Sequence, residues 1–543
     1  MGTQDGDAVD DGTVARGPAE GDGPARTATD ADVLIVGGGP AGLTLAAELR
    51  LGGVRPLVLE RHTELGHTHN ANGLGGQIIE LLRYRGLLER FVAAASDPSP
   101  RAVYPFGGVH LDLTRLDDPP LKGMQLQHPS VDRLLDERAV ELGAEIRRGH
   151  RVVGIRQDEH AVTAEVEGPD GHLTLTGRYL VACDGAHSRI RGMVGIAFPG
   201  TTYPEVNRLA EVAVHPSVVV GDDGVVAVPG GARIAPGFTR TERGVFAMGS
   251  LTPGVLLVQT IEDEDDAGAG HDREESPMSL EELGESVRRV LGVELPLGAP
   301  WRLSRYRHHA RQAERYRAGR VFLAGDAAHV LPATGIARSV GMLDAVNLGW
   351  KLAAAVRGDA PEGLLDTYEI ERHHAGARAL LQTQAQVALR RGHDDAADAL
   401  RAVVSELLVD EGAARRLGAL ISGADVRYPA PGPTAADDRH PLAGTFAPDL
   451  VLRTAGGSTS VAGLLHAARP VLLDLADRLA FRDVAAGWRT RLDVHAADTD
   501  DRPADALLLR PDGHVAWAAA VGESDATAAV GLQQALATWF GSA

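Results

Sequence analysis

Short apolar runs that stop at glycine or aspartate divide this chain, and between them apolar residues recur at helical or alternating spacing. Residues 33–36, all β-branched or aliphatic, suit a buried parallel strand. Leu43, Ala46 and Ala47 then mark a helix over 42–51, and a second short run over 57–59 predicts the next strand. Two more buried strands are read at 179–184 and 320–326, ending in Asp184-Gly185 and Gly325-Asp326, the latter followed by a strong helix over 341–356. Helices are expected over 77–95 and 126–145, the second stopped by Gly143, with a β-meander over 151–155, 161–166 and 173–176. From 198 to 262 the period changes to short alternating runs parted by Pro and Gly, which predicts an antiparallel sheet. A charge run over 262–276 reads as a surface loop, and a helix over 279–291 follows.

After further helices to about residue 423 and a proline-bearing linker, the last stretch has its own pattern. It reads as strand 470–475, helix 477–487, strand 492–495, a hairpin over 506–518 turning at Pro511-Asp512-Gly513, and helix 525–540. The domain division is therefore a tail over 1–30, a nucleotide-binding α/β domain in two segments (31–197 and 301–425), an antiparallel-sheet domain inserted at 198–300, a linker at 426–440 and a separate α/β domain at 441–543. The tail almost lacks large apolar side chains and is expected to be disordered.

Specific chemistry resides in the first strand–helix–strand unit. Gly37, Gly39 and Gly42 stand at G-x-G-x-x-G spacing: the first permits a tight turn, the second lets backbone approach a pyrophosphate, and the third lets helix pack on strand. The phosphate then sits on free N–H groups at the positive end of a helix. Glu60 ends the second strand about 20 residues on, where an acid accepts hydrogen bonds from an adenosine ribose. Alone, the glycines fit any Gly-rich turn; strand, helix, second strand and terminal acid in register favour dinucleotide binding, without choosing between FAD and NAD(P). Asp326, ending a central strand before a helix, sits where α/β sheets bind ligands, its plainer reading being a helix cap.

Composition narrows the partners. A length of 543 residues suggests two to four domains. Asp and Glu exceed Lys and Arg by 74 to 54, a net charge of −20, so no basic face for nucleic acid is expected. The single cysteine, Cys183, excludes an internal disulfide framework and any multi-cysteine metal site, and fits a reducing cytoplasm. No apolar run reaches the length of a membrane span, and the acidic N-terminus is unlike a secretory signal. The expectation is a cytoplasmic protein with no nucleic-acid, membrane or metal partner.

Three motifs stand in order: Gly37-Gly38-Gly39-Pro40-Ala41-Gly42, then CDGAHSR over 183–189, then GDAAH over 325–329 ahead of DAVNLGWKL over 344–352. Together they resemble the FAD-dependent aromatic hydroxylases, the single-component flavin monooxygenases typified by p-hydroxybenzoate hydroxylase. The likeness is strongest to members that tailor aromatic polyketides and carry a C-terminal thioredoxin-like domain, and it covers nearly all of the chain after residue 30. It implies an α/β protein: a Rossmann-like FAD-binding domain, an inserted antiparallel-sheet substrate domain and a thioredoxin-like tail. That tail has no cysteine, which leaves it a docking or dimer-interface role, in a monomer or a homodimer.

The resemblance further implies FAD held by Gly37, Gly39, Pro40, Ala41, Gly42, Glu60 and Arg61 at its pyrophosphate and adenosine end. It implies Asp184 near the pyrophosphate and the NAD(P)H path, Asp326 on the ribityl hydroxyls, and Pro332 and Gly335 bordering the isoalloxazine ring. His329 is read as a packing or hydrogen-bonding residue, and no catalytic residue is nominated. In the implied reaction NADPH or NADH reduces FAD, oxygen adds at flavin C4a, and the hydroperoxide hydroxylates a polycyclic aromatic, polyketide-derived substrate.

Two departures from the family pattern keep other readings open. Arg338 and Ser339 stand in what relatives make a Gly/Asn-rich loop, where a cation would either occlude the flavin ring or favour its anionic form, and Asn70 stands where an Arg is usual. The alternatives are a Baeyer–Villiger oxygenase on the same scaffold, or a non-redox tailoring or binding protein that keeps the flavoprotein fold. Arg233, Phe238, Phe246 and Met248 lie on the strands and connections of the sheet expected to border the substrate pocket; alternation does not say which point inward, and a core or surface role stands for each on at least equal terms.

Overall fold

The computed structural model describes residues 29–65, 73–97, 103–126, 128–252, 254–263, 277–332, 337–392, 394–431 and 439–543. The expected tail, Asn70, Gly335 and nearly all of the charge run lie outside the described residues.

β1 (Ala31–Val36), α1 (Pro40–Leu51) and β2 (Pro56–Glu60) form the expected unit, with Val33, Leu34 and Ile35 wholly buried. The helix expected over 77–95 is two helices, α2 (Ile78–Tyr84) and α3 (Leu88–Ala94). Gly86 between them turns the chain at φ +65, a conformation that ends a helix. A hairpin of β3 (Val103–Phe106) and β4 (Val109–Asp112) and helix α4 (His128–Glu141) precede β5 (Glu145–Arg148). The meander is β6 (Arg151–Gln157), β7 (Val162–Gly168) and β8 (Gly171–Ala182). Residues 173–176 and 179–184, read from sequence as two strands, share the single strand β8, whose first half pairs antiparallel with β7 while its second half runs parallel to β1. The meander is therefore an extension of the main sheet.

The inserted sheet contains β9 (Gly200–Val214), β10 (Gly237–Thr241), β11 (Gly244–Thr252), β12 (Val255–Asp263) and, after α5 (Leu280–Leu291), β13 (Leu297–Gln312). β13 carries the sheet past residue 300. Leu283, Val287 and Val290 of α5 pack on one face against Phe246, Met248 and Val258. Phe246 and Met248 are thus core residues on the α5 side, one of the two roles that alternation left open; Phe238, opposite Ala247, faces the other way.

β14 (Val321–Leu323) and β15 (His329–Val330) lead into α6 (Ala337–Arg357), α7 (Asp366–Arg390), α8 (Asp395–Leu407) and α9 (Glu411–Ser422). The main sheet has the parallel order β14–β8–β1–β2–β5, and the insert has the order β10–β11–β12–β9–β13–β15. On the main sheet, Leu45, Ala46 and Leu49 of α1 join Ala345, Leu348 and Leu352 of α6 in one core.

The C-terminal domain is a four-stranded mixed sheet of β16 (Val471–Asp474), β17 (Asp493–Ala496), β18 (Ala506–Leu509) and β19 (Val515–Ala519), ordered β17–β16–β18–β19, with α10 (Asp525–Phe540) beside it. A single apolar cluster runs from Ile78, Leu82 and Phe91 into Leu473, Leu507 and Leu509, so this domain docks on the α2–α3 side. Buried ions cross the same boundary: Arg85 bonds both oxygens of Glu48 at 2.7 Å and the carbonyls of Leu465 and Pro511. Arg510 bonds Glu371, which also receives Lys351 at 2.7 Å.

Candidate active site

Parallel register brings the ends of β1, β2, β8 and β14 to one edge, and their hydrogen bonding continues just past the strands. Gly37 N donates to Leu59 O at 2.9 Å, Cys183 N to Val36 O at 2.8 Å, and Ala324 N to Ala182 O at 2.9 Å. The three sequence motifs meet there. A Cβ on Gly37 would lie 2.3 Å from Cys183 O, and one on Gly325 would lie 3.1 Å from the Cβ of Ala41. A Cβ on Gly42 would lie 2.0 Å from Gly37 O, whereas one on Gly39 would have nothing within 4 Å. Two of the motif's glycines are thus demanded by the protein's own packing, and Gly39 alone faces open space. Gly39 is the N-cap of α1, no side chain caps it, and Pro40 follows at the first helical position, so the helix presents its positive end to that space.

Glu60 borders the same space. Its Oε2 accepts from Gly38 N at 2.6 Å and its Oε1 from His62 N at 2.8 Å. Arg61 is exposed, with Nε donating to His62 Nε2 at 3.2 Å. Asp184 Oδ2 accepts from Arg189 N at 2.9 Å and Ile190 N at 3.2 Å, capping the short helix Arg189–Met193, while its Oδ1 is buried without a partner. From that helix Arg191 donates to Ala327 O at 2.9 Å, which fastens the middle motif to the late one.

Asp326 lies in the 3-10 turn Gly325–Ala327 and is exposed. The protein around it raises its pKa by desolvation, against the lowering charges of His329 and Arg338. His329 is wholly buried and shares a 2.7 Å hydrogen bond with Asp344 Oδ2, an oxygen that also accepts from Gly325 N at 3.0 Å. Asp344 Oδ1 accepts from Arg372 Nε at 2.7 Å, and Arg372 Nη1 donates to the Tyr428 hydroxyl at 2.8 Å. This network supports the Gly325-Asp326 turn from behind. Pro332 is buried where the described segment ends. Arg338 lies in the first turn of α6, not in a loop, with the charges of Asp132 and Asp326 acting on it. Ser339 Oγ accepts from Gly75 N at 3.4 Å.

The other face of the inserted sheet meets α7 through β13. Asn207, Gln259 and Tyr306 are joined through Gln259 Nε2, at 3.1 Å from Asn207 Oδ1 and 3.4 Å from the Tyr306 hydroxyl. His308 stands edge-on to Tyr306, ring centroids 5.5 Å apart. Burial, reinforced by the charges of Arg390 and His309, pushes the His308 imidazole down to about 3, so it is uncharged at neutral pH. Phe238 shares this face, whereas Arg233 is exposed on a separate small sheet. Sequence reading missed Asn207, His308 and Arg390. The available signal was β13 itself, where polar and charged residues occupy both faces of a strand that a core would make apolar on one.

Among the described residues, no group of three or more His, Cys, Asp or Glu is placed to hold a metal ion, and no helix is long and apolar enough to cross a membrane. Residues 30–383 match the family model of an FAD binding domain, and residues 440–543 match that of the C-terminal region of aromatic-ring hydroxylases. The chain is 41% identical to the 12-dehydrotetracycline 5-monooxygenase/anhydrotetracycline 6-monooxygenase of Streptomyces rimosus, over 94% of this chain and 99% of that one. It is 38% identical, with the same coverage, to a dialkyldecalin synthase of Streptomyces rugosporus. Among solved structures, an anhydrotetracycline hydroxylase from Streptomyces rimosus is 39% identical, with a TM-score of 0.82 over 94% of this chain and 99% of that one. Similarity of this extent runs through the nucleotide edge, the inserted sheet and the C-terminal domain alike, and it assigns the chain to the FAD-dependent aromatic-ring hydroxylase family of monooxygenases.

Proposed function

We propose that the protein hydroxylates a polycyclic aromatic, polyketide-derived substrate in the cytoplasm, using NAD(P)H and oxygen. The observation that carries this reading is the meeting of three motifs at one sheet edge, with Gly39 facing open space and Asp326 exposed in the turn of the late motif. The donor set fits FAD: backbone N–H groups at the start of α1 suit a pyrophosphate, Glu60 retains lone pairs for a ribose, and the Asp326 carboxylate suits ribityl hydroxyls. Asp184 and Arg191 would line the approach to that edge, with Pro332 beside the ring. Bound FAD supplies the redox chemistry, and the chain's work is to orient the substrate and exclude water. Opposite that edge, the sheet face bearing Asn207 and Tyr306 would hold the aromatic rings. The C-terminal domain would serve as a docked support, since its sequence holds no cysteine for thiol exchange.

Visible absorbance of the purified protein tests this. A yellow protein that bleaches on anaerobic addition of NADPH supports the hydroxylase. A second reading, a non-redox tailoring enzyme on the same fold, is favoured by one observation: Arg338 stands in the first turn of α6, where its charge acts on Asp326. A yellow protein that does not bleach, even with candidate aromatics present, selects that reading. A colourless protein that takes up no added FAD overturns both.

A further inference from the structure

Tyr428 lies beyond the segment that matches the FAD-binding model, in the stretch leading to the C-terminal domain, yet its hydroxyl reaches the core behind the Gly325-Asp326 turn. There it is buried and accepts from Arg372 Nη1 at 2.8 Å. Arg372 Nε donates to Asp344 Oδ1 at 2.7 Å, and Asp344 Oδ2 accepts from Gly325 N at 3.0 Å. Three hydrogen bonds in series thus connect Tyr428 to the turn of the late motif. Every one involves a charged partner, which makes it short and strong.

What fixes Tyr428 comes from the C-terminal side of the chain. Its N donates to Gly444 O at 2.8 Å, its O accepts from Arg439 Nη1 at 3.2 Å, and a Cβ on Gly444 would lie 2.5 Å from that same oxygen. Its ring stacks on His514, centroids 4.2 Å apart and planes 19° from parallel, with the Arg510 guanidinium 5.3 Å from its centroid. His514 is held in turn: its N donates to Asp512 Oδ1 at 3.3 Å, and its ring lies 4.3 Å from that of Phe446. Arg510 donates to both oxygens of Glu371, at 2.5 and 2.9 Å, on α7 beside Arg372. Packing alone does not hold this chain in place. A cavity of about 40 Å³ lies against it, walled in part by Ser339 and Val340 at the start of α6, Arg372, Tyr428, Phe446 and His514. Towards that space Arg372 and Tyr428 have no packed neighbour, so their placement depends on the hydrogen bonds and the ring stack.

We infer that Tyr428 and His514 are positioning residues for the cofactor, through which the C-terminal domain sets the Gly325-Asp326 turn. This rests on the reading above that the turn holds FAD, and it gives the C-terminal domain a part in cofactor binding beyond docking. Without the Tyr428 hydroxyl, Arg372 Nη1 is buried without an acceptor and the guanidinium turns to find one. Its bond to Asp344 then loosens, and Gly325 N loses its fixed partner.

Hydrogen exchange of the full-length, cofactor-free protein tests this, with the Gly325 amide as direct reporter and the amides of β1 as the control for general loosening. Tyr428→Phe keeps the ring and its stack and removes only the hydroxyl. It should speed exchange at Gly325 by about three- to tenfold and leave β1 unchanged. His514→Ala should have the same effect by releasing the ring, and His514→Phe, which can still stack, should restore most of the protection. On titration with FAD the same variants should weaken binding in the same order and alter the visible circular dichroism of the bound flavin, which a uniform loss of stability would not do. Unchanged exchange at Gly325 in Tyr428→Phe, a rise shared equally by β1, or equal loss in His514→Ala and His514→Phe would overturn the inference. A protein that takes up no FAD would count against the proposed function, and exchange at Gly325 would still decide whether the C-terminal domain sets the turn.

Discussion

Gly38 N donates to Glu60 Oε2 at 2.6 Å, tying the glycine turn after β1 to the end of β2 across 22 residues. Oε1 of the same carboxylate accepts from His62 N at 2.8 Å. Glu60 therefore shapes both turns that border the nucleotide edge before it touches any ligand. Its acidity matters because charge-assisted bonds to backbone amides are short and strong.

Glu60→Ala leaves two amides without their acceptor, a loss of about 1–3 kcal/mol each where they are buried. The expected outcome is FAD affinity weakened by about tenfold or more, with Glu60→Gln intermediate because it keeps one acceptor oxygen. Titration of cofactor-free protein with FAD, followed by flavin fluorescence, measures this. Equal affinity in all three proteins would show that neither turn depends on the carboxylate.

The glycines should separate by mechanism. A Cβ at position 42 meets backbone at 2.0 Å, so Gly42→Ala is expected to destabilise the whole unit and lower the unfolding midpoint. At position 39 a Cβ meets nothing, so Gly39→Val should leave the unfolding midpoint of cofactor-free protein nearly unchanged while FAD retention is lost. Thermal unfolding with and without added FAD distinguishes the two. Intact FAD binding by Gly39→Val would remove the pyrophosphate from the start of α1.

The nucleotide edge was legible because each element announces itself locally: a β-branched run, a glycine spacing, an acid at a strand end. The break between α2 and α3 was not, since Ile78, Leu81, Leu82, Leu87 and Leu88 keep one helical side through a turn that only Gly86's positive φ and the pull of Glu48 on Arg85 impose. Tertiary pairing hid β8 in the same way, because its two halves face different partners and so carry different patterns. Whether Phe246 and Met248 belong to core or pocket is decided by the position of α5, which alternation along β11 does not reveal. The cluster of Asn207, His308 and Arg390 beside Tyr306 was hardest to see. Asn207, His308 and Arg390 are about 100 and 80 residues apart in turn, and no periodicity connects a strand residue to the last turn of a helix.

Asp344 holds the late motif from behind, and its loss should be felt in stability. Burial alone would raise its carboxyl, but the charges of Arg372 and His329 and their hydrogen bonds outweigh this, and the group lies below the usual carboxylate range. A depressed carboxylate contributes stability that is present above about pH 4, its ordinary unfolded value, and lost as pH falls through the folded value. Asp344→Asn leaves Arg372 buried without its counter-charge, a change that costs about 3–5 kcal/mol in comparable buried pairs. Urea unfolding at pH 7 is expected to read such a loss, together with weaker FAD retention as the Gly325-Asp326 turn loosens. A loss below about 1 kcal/mol would mean that Arg372 finds another acceptor.

His308 acts in the same direction over a higher pH window. Its folded value of about 3 lies below the unfolded value of about 6.5, so between those limits the unfolded chain binds a proton that the folded chain refuses. Folding stability is therefore unaffected above about pH 6.5 and declines as pH falls below it, on the order of 1–2 kcal/mol by pH 5 from this residue. Arg390 and His309 act in the same direction as burial, so no neighbour rescues the charged form. His308→Gln, which cannot titrate, should resist acid better: its stability relative to the parent should rise steadily from pH 7.5 to pH 5 in urea unfolding. The imidazole resonances of His308 should stay fixed over that range, consistent with an uncharged ring buried near Arg390. A titration midpoint near 6.5 would mean that the ring is open to water and that Arg390's charge does not reach it.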